Sequence, residues 1–246
     1  MNQTRSATVR ATTAGRIVVP LLLLLGLGGC QSTAPETVPV DPEAAIERLN
    51  RPLSGDPAAL YRLRISSSGG LRMSVLTSGE DGRLTVSEPF GAAVSLTSWS
   101  GSQPPTFFDL REGCQIQAMD LEQALGVAAM PLPQAVRLFV GRLPATSDDW
   151  IVPREDGRIL VEGERWAAMV TVAADPWRVM LVEEITARDR GWRFELRDHT
   201  LSVPSFVRVE NSDGRWAELE LVRLEWSAGG ELPPIPDLPL CSAETE

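Results

Sequence analysis

Through the middle of the chain, apolar and polar residues alternate one by one. Tyr61, Leu63 and Ile65 alternate with Arg62 and Arg64; Leu71, Met73 and Val75 with Arg72 and Ser74; Leu84 and Val86 with Thr85 and Ser87; Val94 and Leu96 with Ser95 and Thr97; Cys114, Ile116 and Ala118 with Gln115 and Gln117. A period of two gives each segment one dry and one wet face, which predicts an antiparallel sheet rather than parallel strands joined by helices. Residues 68–70, 79–82 and 99–101 supply turns. Further strands are predicted over 158–161, 166–172, 177–185, 191–196, 206–209 and 216–226, with turns at Asp156-Gly157, Asp175-Pro176 and Asp213-Gly214. Residues 177–185 are apolar on both faces, which predicts a central strand. In the last strand the apolar set shifts from Ala217, Leu219 and Leu221 to Val222, Leu224 and Trp226, a change of phase that predicts a β-bulge.

Helical spacing interrupts this pattern in two places. Pro42 to Leu49 predicts a short helix with Asp41 as its N-cap and a proline in its first turn. A pair of short helices is expected between residues 120 and 141. The first begins at Asp120-Leu121-Glu122-Gln123, which has the form of a capping box, and places Leu121, Ala124, Leu125 and Ala128 on one face. Pro131-Leu132-Pro133 interrupts, and the second covers about 134–140, ended by Gly141. The pair is sized either for a packed crossover or for a lid over a sheet. The expected fold class is mainly β (α+β). It is a single, long, curved antiparallel sheet, in one domain over 42–242 that includes a Pro-rich tail at 230–241, with short helices on the concave face; that the sheet forms an incomplete barrel capped by those helices is what the resemblance given below implies.

The N-terminus reads as an export address. Arg5, Arg10 and Arg16 precede a short apolar run at 17–27, below the roughly 20 residues a membrane span needs. The run ends Leu27-Gly28-Gly29-Cys30, which resembles a bacterial lipobox; an ordinary signal peptide with an incidental cysteine is the alternative. The resemblance implies a signal peptide at 1–29, lipidation (including palmitate) of Cys30, and a tether at 30–41. Gln31-Ser32 after the cysteine is similar to the signal that sorts lipoproteins to the outer membrane. Cys114 and Cys241 are then the remaining thiols, and an exported protein meets oxidising conditions, so a disulfide is expected, with two free thiols as the alternative.

The formal charge is −10, and setting aside the three leader arginines leaves −13. Such a surface repels phosphate backbones, so no nucleic-acid partner is expected. His199 is the one histidine, and beside Asp198 at a strand end it is expected in a solvated turn; a metal triad or Ser-His-Asp site is hard to build from it. Glu183-Glu184 and Asp148-Asp149 are neighbours in sequence, and neighbours on a strand point to opposite faces. Glu162 and Glu164 can share a face, most simply as an exposed edge. No Gly-rich phosphate loop occurs in the body of the chain. No cofactor, no metal and no enzymatic activity are expected.

Three stretches carry a resemblance. Leu84-Thr85-Val86-Ser87-Glu88-Pro89-Phe90-Gly91 is similar to a strand entering a Pro-Leu-Gly loop. Gly126, Met130-Pro131-Leu132-Pro133 and Val140-Gly141-Arg142-Leu143-Pro144 are similar to a helix, a Pro-x-Pro turn and a Gly-x-Pro exit, and Val203-Pro204 with residues 219–226 to a pair of final strands. In this order, behind a lipobox, they resemble the LolB receptor branch of the LolA/LolB superfamily of lipoprotein carriers. The chain departs from that pattern in a longer segment over about 166–197 and in the added tail. The resemblance implies a chaperone-like lipoprotein at the periplasmic face of the outer membrane. It would take acyl chains of lipoproteins or other lipids into an apolar cavity, receive them from a periplasmic carrier of LolA type, and insert them into the outer membrane. It also implies that Pro89, Phe90 and Gly91 form a membrane-insertion loop. Trp99, Leu125, Phe139, Trp166, Trp192 and Phe194 are the candidate wall of the acyl-chain cavity. Carriage of another lipid or glycolipid, and a non-carrier envelope scaffold, are the alternatives.

Overall fold

The computed structural model describes residues 41–51, 55–66, 68–101, 103–117, 125–185, 191–200, 203–227 and 231–241, which fall in one compact unit. The export segment, Cys30, the tether up to residue 40 and the capping box at 120–123 lie outside them. Thirteen strands form one sheet: β1 (Asp56–Ile65), β2 (Ser68–Ser78), β3 (Asp81–Ser87), β4 (Ala93–Trp99), β5 (Thr106–Asp109), β6 (Cys114–Gln117), β7 (Trp150–Pro153), β8 (Ile159–Glu162), β9 (Ala167–Ala173), β10 (Arg178–Glu184), β11 (Arg193–Thr200), β12 (Val203–Glu210) and β13 (Trp216–Ser227). Their order is β6-β5-β4-β3-β2-β1-β13-β12-β11-β10-β9-β8-β7, antiparallel throughout. The first and last strands of that order are edges, so the sheet stays open and does not close into a barrel; its antiparallel pairing is what the alternation predicts, and its incomplete closure is what the resemblance implies.

Directly paired residues share a face, so the register defines the dry side. Tyr61, Met73 and Val86 form one row; Leu63, Leu219, Val207 and Leu196 a second; Ala217, Val209, Phe194, Val182, Val170 and Ile159 a third. All of these are buried in one apolar cluster. Two helices contribute to the same cluster. Helix α1 (Pro42–Leu49) starts as expected: Asp41 Oδ1 accepts from the backbone N–H groups of Glu43 at 3.0 Å and Ala44 at 3.4 Å, and Ala45 and Leu49 are buried. Helix α2 (Leu132–Phe139) begins two residues earlier than the sequence suggests. Pro133 lies in its first turn, where a missing N–H costs nothing, and Gly141 follows at φ 77°. Ala128 lies outside any helix.

The expected bulge in β13 is present. Leu60 pairs with Arg223 and Tyr61 with Leu221, leaving Val222 as the extra residue. The segment 177–185 is corrected: β10 lies tenth in the order, away from the centre, and its doubly apolar look comes from a second bulge. Val179 pairs with Val172 and Leu181 with Thr171, so Met180 is the inserted residue and the buried phase slips from Val179 to Val182. Residues 68–70 belong to β2 rather than a turn, and Trp99 ends β4. Strands β5 and β7 have no counterpart in the sequence reading. His199 is also corrected: it lies within β11, opposite Pro204, and its Nε2 is 2.8 Å from the carbonyl oxygen of Val179. Burial there lowers its pKa from the ordinary histidine value.

Candidate functional site

The loop at 88–92 joins β3 to β4. The backbone N–H of Gly91 donates to Glu88 O at 2.9 Å and that of Glu88 to Ala92 O at 2.8 Å, closing a tight turn. Gly91 has φ 97°, a conformation that favours glycine. Glu88 is held from the side by Arg111, whose guanidinium donates to its carboxylate at 2.9 Å. Phe90 stands at the tip and is 99% exposed. Other large apolar side chains project as well, Leu240 and Trp150 most, but none is as bare. Pro89 and Gly91 are exposed on either side of it.

The six candidate wall residues go to one place. Trp99, Leu125, Phe139, Trp166, Trp192 and Phe194 are all buried in the cluster between sheet and helices. Trp192 and Phe194 meet edge to face with ring centroids 5.3 Å apart. Phe139, at the end of α2, meets Tyr61 of β1, whose hydroxyl donates to the Phe139 carbonyl oxygen at 3.2 Å. Trp99 lies across β3 on Gly82, where a Cβ would come within 2.0 Å of its ring. Three polar atoms of this cluster and its border are buried without a partner among the described residues: Thr97 Oγ1, Gln134 Oε1 and Trp192 Nε1. Such atoms cost about 1–3 kcal/mol each when left unpaired.

Two open hollows on the surface of the described residues are lined by other side chains than these six. One, of about 510 Å³, surrounds the turn at Pro153, Arg154, Glu155 and Asp156. The other, of about 370 Å³, is lined by Asp148, Trp150, Glu162, Gly163 and Glu164, so Glu162 and Glu164 do share a surface. Asp149 is turned away from Asp148 into its own loop, where Oδ2 accepts from the Thr146 N–H at 2.7 Å and from the Gln134 side-chain amide at 2.9 Å. Glu183 faces Arg193 at 3.9 Å. Among the described residues, no three His, Cys, Asp or Glu side chains converge as metal ligands.

Cys114 and Cys241 form a disulfide, 127 residues apart in sequence. It fastens the C-terminal segment beside edge strand β6. Gln115 N–H donates to Pro239 O at 2.8 Å, and Cys241 N–H to Gln115 O at 3.0 Å. The Gln115 side-chain amide donates to Leu238 O at 2.6 Å. Gln115 shares its face with Phe108 and Leu96, the side away from the helices, so the tail meets the outer face of the sheet at this edge. Sequence reasoning supplied the two cysteines but had no signal for the edge they close.

No family model matches the chain, and no curated protein does. Among solved structures, a LolA superfamily protein from Nitrosomonas europaea superposes with a TM-score of 0.53 at 15% identity, covering 78% of this chain and 94% of that one. The open antiparallel sheet with short helices on one face is a fold this chain shares with that LolA superfamily protein.

Proposed function

We propose that this chain is a lipid-anchored outer-membrane lipoprotein that shelters acyl chains against the dry face of its sheet and passes lipoproteins from a periplasmic carrier of LolA type into the membrane. The observation that carries this reading is Phe90: a bare aromatic side chain held at the tip of a closed turn, on an open-sheet carrier-type fold whose six candidate wall residues are buried. An exposed Phe is unfavourable in water and favourable in a bilayer. Cys30 would supply the anchor and the tether its reach.

The energetics suit sheltered transfer. Three chains of roughly 15 CH₂ each, at about 0.8 kcal/mol per CH₂, cost about 36 kcal/mol to leave in water. Non-covalent affinity saturates near roughly 20 kcal/mol, so the protein need only lower the difference between carrier, interior and membrane. Space for a chain arises where α2 lies on the sheet. Apolar contact is non-directional, so an acyl chain can replace the side chains of α2 against Tyr61 and its row at small net cost. The hydrogen bond from Tyr61 to Phe139 is the specific tie that such an exchange breaks. Thr97 Oγ1 and Trp192 Nε1 are free to donate to ester oxygens.

The test is mass spectrometry of the Cys30→Ser protein, exported and purified without detergent. Co-purifying acylated lipid or lipoprotein is the expected result, and a protein that neither carries nor takes up lipid ends the proposal. The packed interior among the described residues favours a second reading, a non-carrier envelope scaffold, and that lipid-free outcome would select it.

A further inference from the structure

An open sheet has two edges, and this one treats them differently. The β6 edge is bridged to Leu240 of the tail and fastened by the disulfide. The β7 edge, which helix α1 touches, has no strand or tail segment bonded along it among the described residues. Its backbone polarity follows from the register. Arg154 N–H donates to Arg158 O, and Trp150 and Val152 share that parity in the pairing with β8. Their peptide groups therefore face β8, while those of Ile151 and Pro153 face outward. Ile151 presents a free N–H and C=O, and Pro153 a C=O alone, the usual place for a proline on an edge.

Side chains on this edge are as unusual as its backbone. Trp150 is 75% exposed and Val152 38%, and both lie on the outer face, where Val152 continues a half-buried row through Leu160 and Met169. The flanks carry opposite charge: Asp148 before the strand and Arg154 after it. Neither is in an ion pair among the described residues.

The geometry points to a second copy of this chain as the occupant of the β7 edge, paired antiparallel about a two-fold axis at Ile151. In that register the two Ile151 residues exchange both backbone hydrogen bonds. Trp150 of each copy lies beside Val152 of the other and extends its apolar row, and Asp148 of each meets Arg154 of the other. The arrangement is isologous, so one sequence satisfies both sides. Four strand residues a side bury only a few hundred Å², below the roughly 1,000 Å² of a stable interface, so the dimer is weak and concentration-dependent. This pairing is independent of the lipid-handling reading.

Cross-linking through one cysteine introduced into the exported chain, whose Cys114 and Cys241 are already paired, tests it. Ile151→Cys under mild oxidation is expected to give covalent homodimer roughly tenfold or more above Val222→Cys, a control exposed elsewhere on the sheet, because pairing raises the effective thiol concentration. Arg154→Asp should lower that yield, and the added Asp148→Arg should restore it. Because Ile151 is half-buried, a mixture of the Trp150→Cys and Val152→Cys proteins provides a second readout and should form mixed dimer. No enrichment over Val222→Cys in either readout, failure of the charge swap to restore it, or cross-linking to a different protein would overturn the proposal.

Discussion

Gly82 shows how one residue can fix its neighbour. It pairs with Trp99 across β3 and β4, and the indole occupies the space a side chain would take, with Cζ2 2.0 Å from the position of a Cβ. Trp99 is 5% exposed and has little room to withdraw. Gly82→Ala is therefore expected to destabilise the fold by about 1–3 kcal/mol, the usual cost of overpacking, read as a lower urea midpoint with a changed tryptophan emission. Tyr61, the one tyrosine of the chain, gives a prediction in pH. Its hydroxyl is buried, and desolvation holds its pKa well above the ordinary value. The folded state thus keeps its proton more tightly than the unfolded state. Its contribution to stability is whole below the ordinary tyrosine pKa of about 10 and is lost as pH rises beyond it. Absorbance at 295 nm should show phenolate appearing only together with unfolding. Tyr61→Phe should remove that alkaline dependence while costing about 1 kcal/mol at neutral pH, since the Phe139 carbonyl loses its donor. Normal phenolate titration in the folded protein would contradict this placement.

At the scale of elements, the tail is the clearest case of a segment that stays in place through one covalent tie. Residues 231–241 are mostly exposed, and a proline-rich segment contributes few backbone donors of its own. Cross-linking positions 127 apart removes loop-closure entropy worth on the order of 4–5 kcal/mol in the chain-entropy model. Cys114→Ser should lower stability by about that order and make the tail the first site of proteolytic cleavage; unchanged cleavage kinetics would show that the backbone bonds at Gln115 suffice. The alternation that foretells the long strands fails for short ones. β5, Thr106–Asp109, puts two adjacent phenylalanines on opposite faces, and β7, Trp150–Pro153, has four residues of which Trp150 and Val152 face water. A bulge is legible in β13, where both phases are long enough to see, and illegible in β10, where it makes a strand seem dry on both sides. The site divides in the same way. The candidate wall residues were legible as apolar, and they are buried, yet periodicity cannot tell a core from a binding surface, since both are dry. Phe90 was legible only by resemblance, because exposure is set by turn geometry that lies outside any repeating pattern.

Across the whole molecule, apolar surface is distributed with a direction. The dry face of the sheet is covered by α1 and α2, one edge is closed by the tail, and the turn between β3 and β4 carries an aromatic ring fully into solvent. A ring so placed contributes nothing to folding, so its removal should leave stability within about 0.5 kcal/mol. If its role is to enter the bilayer, the loss appears only at the step that uses the bilayer. Phe90→Glu is expected to fold, to retain lipid to the same extent as the parent protein, and to release it into vesicles more slowly by about thirtyfold or more, as follows from losing roughly 2 kcal/mol of side-chain burial. Phe90→Leu, which keeps an apolar tip, should release near the parent rate. Equal retention with unchanged release in the Glu variant would remove the loop from the mechanism while leaving lipid binding in place. A variant that no longer retains lipid would place Phe90 at the entrance for the acyl chain rather than at the membrane.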